Sequence, residues 1–148
     1  MSLKEYKQKR DLKKTPEPKG EKKKSKKLIY TIQKHNASHL HYDLRLEMNG
    51  ILKSWAIPKL PPKRKNLKRL AIQVEDHPIG YEKFEGEIPE GQYGSGKVEI
   101  WDKGTYSVVE KKKDLIVVDI TGKKLKGEYC LVRTKFQDKE NNWIFFKR

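Results

Sequence analysis

Residues 40 to 48, Leu-His-Tyr-Asp-Leu-Arg-Leu-Glu-Met, alternate apolar and polar without a break, and Asn49-Gly50 follows at once. Successive side chains of a strand point to opposite faces, so Leu40, Tyr42, Leu44, Leu46 and Met48 share one face. His39, His41, Asp43, Arg45 and Glu47 share the other. Asn-Gly is the strongest short hairpin signal, because both residues accept positive φ, and Ile51 to Ile57 reads as the return strand. A two-residue turn sets Arg45 opposite Ser54 and Asp43 opposite Ala56, where small partners leave room for a ligand. Lys53 falls opposite Leu46 on the apolar face, a position that requires a packed stem and an ammonium reaching water.

The rest of the chain continues the pattern. Leu28 to Gln33 is a short β-branched run. Pro58, Pro61 and Pro62 end the return strand, and the basic loop Lys63 to Arg69 leads to Leu70-Ala-Ile-Gln-Val-Glu-Asp-His77. Alternation there places Leu70, Ile72 and Val74 on a core face and Arg69, Gln73, Glu75 and His77 opposite, with Pro78 as the stop. Glu85 to Gly96 holds glycines at 86, 91, 94 and 96. It lacks the Gly-Lys-Ser/Thr ending of a nucleotide loop, so it reads as a turn-rich connection. Val98 to Trp101, Thr105 to Val109, Leu115 to Ile120, Gly127 to Arg133 and Trp143 to Phe146 read as short strands. Turn chemistry separates them at Asp102-Lys-Gly104, Lys111 to Asp114, Thr121-Gly122 and Lys135 to Asn142. Many short strands at regular spacing mean a sandwich or a barrel.

Charge divides the chain in two. The net charge is +15, and residues 1 to 27 hold twelve Lys or Arg against four acids. With Pro16, Pro18 and Gly20 and almost no apolar residues, this basic arm reads as largely flexible; a short helix from Ser2 to about Leu12 is expected, Ser2 and Glu5 forming a capping box. Residues 28 to 148 form the single folded domain. Such a charge favours nucleic acid as the partner, the arm contacting phosphates or serving as a solubilising tail. No apolar run suits a membrane. Cys130 stands alone, so there is neither a disulfide framework nor a thiolate cluster, and the chain reads as intracellular.

Three of the four histidines lie between His35 and His41, beside Asp43 and Arg45. Neutral imidazole with one carboxylate suits manganese, iron, zinc, nickel or cobalt better than calcium or magnesium. His35, His41 and Asp43 would supply three ligands and leave positions open, which marks a catalytic site. Arg45 can clamp a phosphate or carboxylate through parallel N–H bonds. His77 and Tyr81, four apart across a turn, can bind the same anion or protonate a leaving group. His39 reads as a bystander. Three functions fit: an Fe(II) oxygenase with a facial triad of His41, Asp43 and His77, a metal-assisted phosphoesterase, and a non-catalytic nucleic-acid-binding barrel. The extra His35, the adjacent Arg45 and the charge favour the phosphoesterase.

Longer motifs carry a family resemblance. His35 to Glu47, Ser54-Trp-Ala-Ile-Pro-Lys59, Val74-Glu-Asp-His-Pro-Ile-Gly-Tyr81 and the Glu85 to Gly96 segment resemble the 3′-phosphoesterase module of the bacterial end-joining DNA ligase D. Arg10-Asp11, Thr15-Pro-Glu-Pro18, Leu125 to Arg133 and Trp143 to Lys147 extend the likeness over nearly the whole chain. Ligase and polymerase modules are absent from it, as in a free-standing archaeal-type member. The resemblance implies a mainly β fold: one compact β-barrel of about eight strands with an apolar interior, a short flanking helix, and the active site on the outer surface. It further implies manganese-dependent removal of a 3′-terminal ribonucleoside from DNA, then of the 3′-phosphate, in non-homologous end-joining repair. Cobalt or zinc are alternative ions. By similarity His35, His41 and Asp43 hold the metal, and Arg45, His77 and Tyr81 the scissile phosphate. Arg10, Asp11, Glu17, Gln33, Lys59, Arg69 and Glu75 match positions around the substrate. The expected partner is a primer-template-like DNA end, with separate ligase and polymerase polypeptides, and the expected state is a monomer.

Overall fold

The computed structural model describes residues 27–135 and 139–148. Nine strands follow in order: β1 (Leu28–Asn36), β2 (Leu40–Met48), β3 (Ile51–Ile57), β4 (Lys68–Pro78), β5 (Gly86–Ile88), β6 (Gly96–Lys112), β7 (Leu115–Gly122), β8 (Lys126–Arg133) and β9 (Asn142–Lys147). They pair antiparallel in the order β1-β2-β3-β4-β9-β8-β7-β6-β5, and β1 also pairs with β6. That extra pairing closes eight strands into a barrel and leaves short β5 outside on β6. Closure removes the open edges of a long sheet. Among the described residues the one helical turn is a 3-10 segment, Tyr81–Lys83. The helix expected over Ser2 to Leu12, like Arg10, Asp11 and Glu17, lies outside the described residues.

The β2–β3 hairpin has the expected register, Arg45 opposite Ser54, Asp43 opposite Ala56 and Leu46 opposite Lys53. Asn49 and Gly50 both take positive φ, 53° and 81°. Tyr42, Leu44, Leu46 and Met48 join Trp55, Ile57, Tyr106, Tyr129 and Phe145 in the apolar interior. The buried tyrosines keep polar partners: Tyr30 donates to Asp102 and Tyr129 to the Pro62 carbonyl. Lys53 reaches Asp76 Oδ2 at 3.4 Å with its side chain 31% exposed, so its ammonium gains a carboxylate as well as water.

Two expectations are corrected. Asp102-Lys-Gly104 is not a turn, and Val98 to Trp101 and Thr105 to Val109 belong to one 17-residue strand. Asp102 is buried and accepts hydrogen bonds from the Tyr30 hydroxyl and from the backbone N–H groups of Lys123, Lys124 and Leu125. It organises the β7–β8 turn instead of turning its own strand. Gly104 is needed because a Cβ there would come within 2.0 Å of the Thr121 carbonyl oxygen. Asp102→Ala strands four donors, so unfolding free energy is expected to fall by roughly 3 to 5 kcal/mol, near 1 kcal/mol per bond. Urea titration measures this, and an unchanged midpoint would deny the carboxylate its role.

The second correction is the phase of β4. Ala71 is in the core, Gln73 pairs with core Trp55 and accepts a bond from Trp143, and Val74 pairs with Ser54. Leu70, Ile72 and Val74 therefore face outward, each half-buried. His77 still arrives on the outer face. Between Leu52 and Ser54 the register shifts, so the single residue Lys53 of β3 stands against two of β4, Glu75 and Asp76. This bulge reverses the alternation and re-aims the end of the strand.

Candidate metal and phosphate site

The site lies on the outer face of β1 to β4. His35 pairs with His41, Gln33 with Asp43, Arg45 with Thr31 and Ser54, and Leu52 with both Glu47 and His77. Directly opposed residues share a face, so one patch collects side chains from four strands. The segment after β4 folds back over it. Gln33 Nε2 donates to the carbonyls of Tyr81 and Phe84 at 2.8 and 3.0 Å, and His35 Nε2 lies 2.7 Å from the Gly94 carbonyl. This cover explains why Gln33, His35, Asp43 and Arg45 are buried outside the barrel.

A carbonyl oxygen only accepts, so each histidine's tautomer follows from its backbone contact. His35 carries its proton on Nε2, facing Gly94. His41 carries its own on Nδ1, 3.0 Å from the His39 carbonyl. The other nitrogens converge: His41 Nε2 is 3.3 Å and His35 Nδ1 3.7 Å from Asp43 Oδ2. One ligand atom from each of the three residues lies within 4.8 Å of the others. Two lone-pair nitrogens and one carboxylate oxygen, the rings held by carbonyls, form a donor set that could hold a divalent transition metal.

Protons compete for the same atoms. Burial works against ionising Asp43, but protons that His35 and His41 can take up on the nitrogens facing it, and the charge of Arg45, hold the carboxyl well below the usual carboxylate range. The bond to Asp43 lifts His41 above the ordinary histidine value of 6.5, partial burial opposing it. Metal entry must expel that proton, so affinity is expected to fall as pH drops through the raised His41 value, by up to about tenfold per unit below it. Metal titration between pH 8 and 5.5 checks the sign; affinity that stayed flat would remove His41 from the ligand set.

Arg45, 4% exposed, stands beside this set. Its Nε donates to Gln33 Oε1 at 2.6 Å, Nη1 to Ser54 Oγ at 2.8 Å, and Nη2 is 3.5 Å from Asp43. Ser54 passes its own proton to the Leu52 carbonyl. Burial lowers the guanidinium pKa, Asp43, Tyr81 and Glu75 counter it, and arginine remains a cation. These contacts account for three of five N–H donors and leave one on each terminal nitrogen. Tyr81 lies under the guanidinium at 4.8 Å and against the His77 ring at 4.5 Å. His77 Nδ1 is 3.0 Å from the Glu75 carbonyl and 3.3 Å from Arg45 Nη1, which also only donates. The shorter contact decides: Nδ1 carries the proton and Nε2 is the ring's basic atom.

A family model described as the DNA Ligase D 3′-phosphoesterase domain matches residues 33–133. The chain belongs to the DNA ligase D 3′-phosphoesterase family. The multifunctional non-homologous end joining protein LigD of Pseudomonas aeruginosa is 46% identical over 98% of the chain, which corresponds to 18% of that protein. The LigD proteins of Mycobacterium tuberculosis and Mycolicibacterium smegmatis are 44% and 42% identical over 89% and 94% of the chain. The chain thus spans less than a fifth of these relatives.

Within this phosphoesterase domain the geometry groups His35, His41 and Asp43 as one cluster and Arg45, His77 and Tyr81 as its neighbour. His77 is not part of the group whose ligand atoms converge, and its ring packs on Tyr81. Gln33 holds Arg45 and the covering segment together. Glu75 is half-buried near Arg45. Lys59 is exposed just past β3, and Arg69 Nε donates to the Leu60 carbonyl. Two participants had no distinct signal: Ser54, expected to leave room and instead anchoring Arg45, and Gly94, whose φ of 75° helps present a carbonyl to His35. No helix among the described residues is long and apolar enough to cross a membrane.

Proposed function

We propose that the chain is a metal-dependent 3′-end-healing phosphoesterase: it removes a 3′-terminal ribonucleoside from a DNA strand, then the 3′-phosphate, leaving a 3′-hydroxyl for end joining. The observation that carries this reading is the convergence of lone pairs from His35, His41 and Asp43 beside a buried arginine with two N–H donors to spare. His35, His41 and Asp43 belong to the ion's site, and Arg45, His77 and Tyr81 to the phosphate's. A bound divalent ion, manganese by family likeness with cobalt or zinc also suited to the donors, supplies Lewis-acid charge neutralisation. Arg45 adds preorganised N–H donors where negative charge grows in an in-line displacement by water. Its three fixed contacts hold that orientation in advance. Tyr81 through its hydroxyl, or His77 once its Nε2 has taken up a proton, gives a proton to the departing oxygen, and Glu75, through its carbonyl, fixes the His77 ring.

The substrate is a DNA 3′ end in a primer-template-like duplex. Arg10, Asp11, Glu17, Lys59 and Arg69 match family positions around the substrate or behind the residues that touch it, and residues 1 to 27 are given a salt-sensitive phosphate contact. The reaction belongs to the interior of the cell. The test is incubation with manganese and a duplex ending in a ribonucleotide or a 3′-phosphate, comparing wild type with His41→Ala. Trimming by wild type and its loss in the variant support the reading. Tight binding without trimming would favour a non-catalytic barrel, and turnover of an organic cosubstrate with iron would favour an oxygenase.

A further inference from the structure

The segment between β5 and β6 carries one side chain that the site just described does not use. Tyr93 is 92% exposed. Among the described residues every other Phe, Tyr and Trp is buried or half-buried. A single exposed apolar side chain is ordinary on a protein surface; the position of this one is not. The next residue is Gly94, whose carbonyl lies 2.7 Å from the ring of the candidate ligand His35. Adjacent Cα atoms are about 3.8 Å apart, so Tyr93 springs from the lip of the site.

The loop that presents it is held. Gln92 N–H donates to the Pro89 carbonyl and Ser95 N–H to that of Gln92. At the exit Gly96 (φ 129°) lies so close to β1 that a Cβ would meet the Asn36 carbonyl oxygen at 2.2 Å. Tyr93 is therefore a solvated ring on a fixed support. The other tyrosine of the site, Tyr81, has its ring under Arg45 and against His77 and Phe84.

We propose that Tyr93 is a stacking platform for the nucleobase next to the scissile 3′-phosphate. The inference rests on the phosphoesterase reading and adds what that reading lacks, a contact to the base. The cluster and Arg45 address only phosphate, which every nucleotide shares. An aromatic face binds any base, since each offers a π surface, and it orders a strand end without selecting sequence. The ring touches substrate but no reacting atom, so it acts on binding.

The test uses Tyr93→Ala and Tyr93→Phe on two strands ending in a 3′-phosphate, one with a normal terminal nucleotide and one with an abasic terminal nucleotide. Full exposure of the side chain makes both variants safe for folding. Tyr93→Ala is expected to raise KM on the normal strand by roughly 5- to 150-fold, the range of a base–aromatic stack, with kcat unchanged. Tyr93→Phe retains the wild-type KM. On the abasic strand wild type and Tyr93→Ala have the same KM. Equal KM values on the normal strand, or a defect that persists undiminished on the abasic one, overturn the stack. Fluorescence anisotropy of both strands in chelator gives stacking a readout without turnover. Base-dependent binding lost in Tyr93→Ala, with no hydrolysis by wild type, supports the stack and refutes the phosphoesterase reading alone.

Discussion

Arg45→Ala is expected to cut kcat/KM for a 3′-phosphorylated duplex by about 1,000-fold, the scale of losing a preorganised charge-stabilising donor. The guanidinium is fixed on three sides, by Gln33, Ser54 and Asp43, and stacked on Tyr81. It therefore reorganises little when charge develops on a phosphate. Arg45→Lys is expected to recover little, within about tenfold of alanine, because an ammonium is a single point and cannot keep those contacts while offering two parallel N–H bonds. Removing one member of a buried pair costs about 3 to 5 kcal/mol of stability, so thermal melting accompanies the kinetics. Bound metal should remain in both variants. Near-wild-type turnover by Arg45→Lys would mean that charge alone suffices and the buried fork is incidental.

Asp43→Ala is expected to weaken metal binding by more than about 100-fold, beyond the effect of losing a partner that merely orients a ligand, and activity should fall with it. Asp43 is the one carboxylate of the cluster and the point on which both histidine rings converge. The same variant has a second signature without metal. The hydrogen bond to Asp43 is the largest cause of the raised His41 pKa, so the His41 titration seen by NMR should move down. Retained metal affinity would remove Asp43 from the ligand set, and an unmoved titration would separate it from His41.

How far the sequence was legible depended on how local the cause was. The β2–β3 hairpin could be read to the residue, because a period of two and an Asn-Gly turn are properties of adjacent residues, and its polar face is the heart of the site. His35 joins that face because β1 runs on to Asn36 and opposes His41 across a tight connection. The phase of β4 was misread because Leu70, Ile72 and Val74 look like a core stripe. Small Ala71 and hydrogen-bonded Gln73 take the inner face instead, and the Glu75-Asp76 bulge then restores His77 to the outside. Nothing in those residues announces a bulge. Asp102-Lys-Gly104 looked like a turn because turn residues and long-range anchors share the same chemistry. Its acceptors serve Tyr30 and residues 123 to 125, distant in sequence. Gly94 and Ser54 belong to the same class, since their roles exist only once the covering segment has returned and β3 has paired.

On the proposed function, catalysis depends on an ion held by His35, His41 and Asp43. A titration of chelator-stripped protein with manganese tests it most directly, following the bound ion by its paramagnetic resonance and the release of inorganic phosphate from a 3′-phosphorylated duplex in the same samples. The expected result is no release from the stripped protein, release rising in step with bound ion, and loss of both in Asp43→Ala. Full hydrolysis by the stripped protein, or by Asp43→Ala with no ion bound, would contradict it.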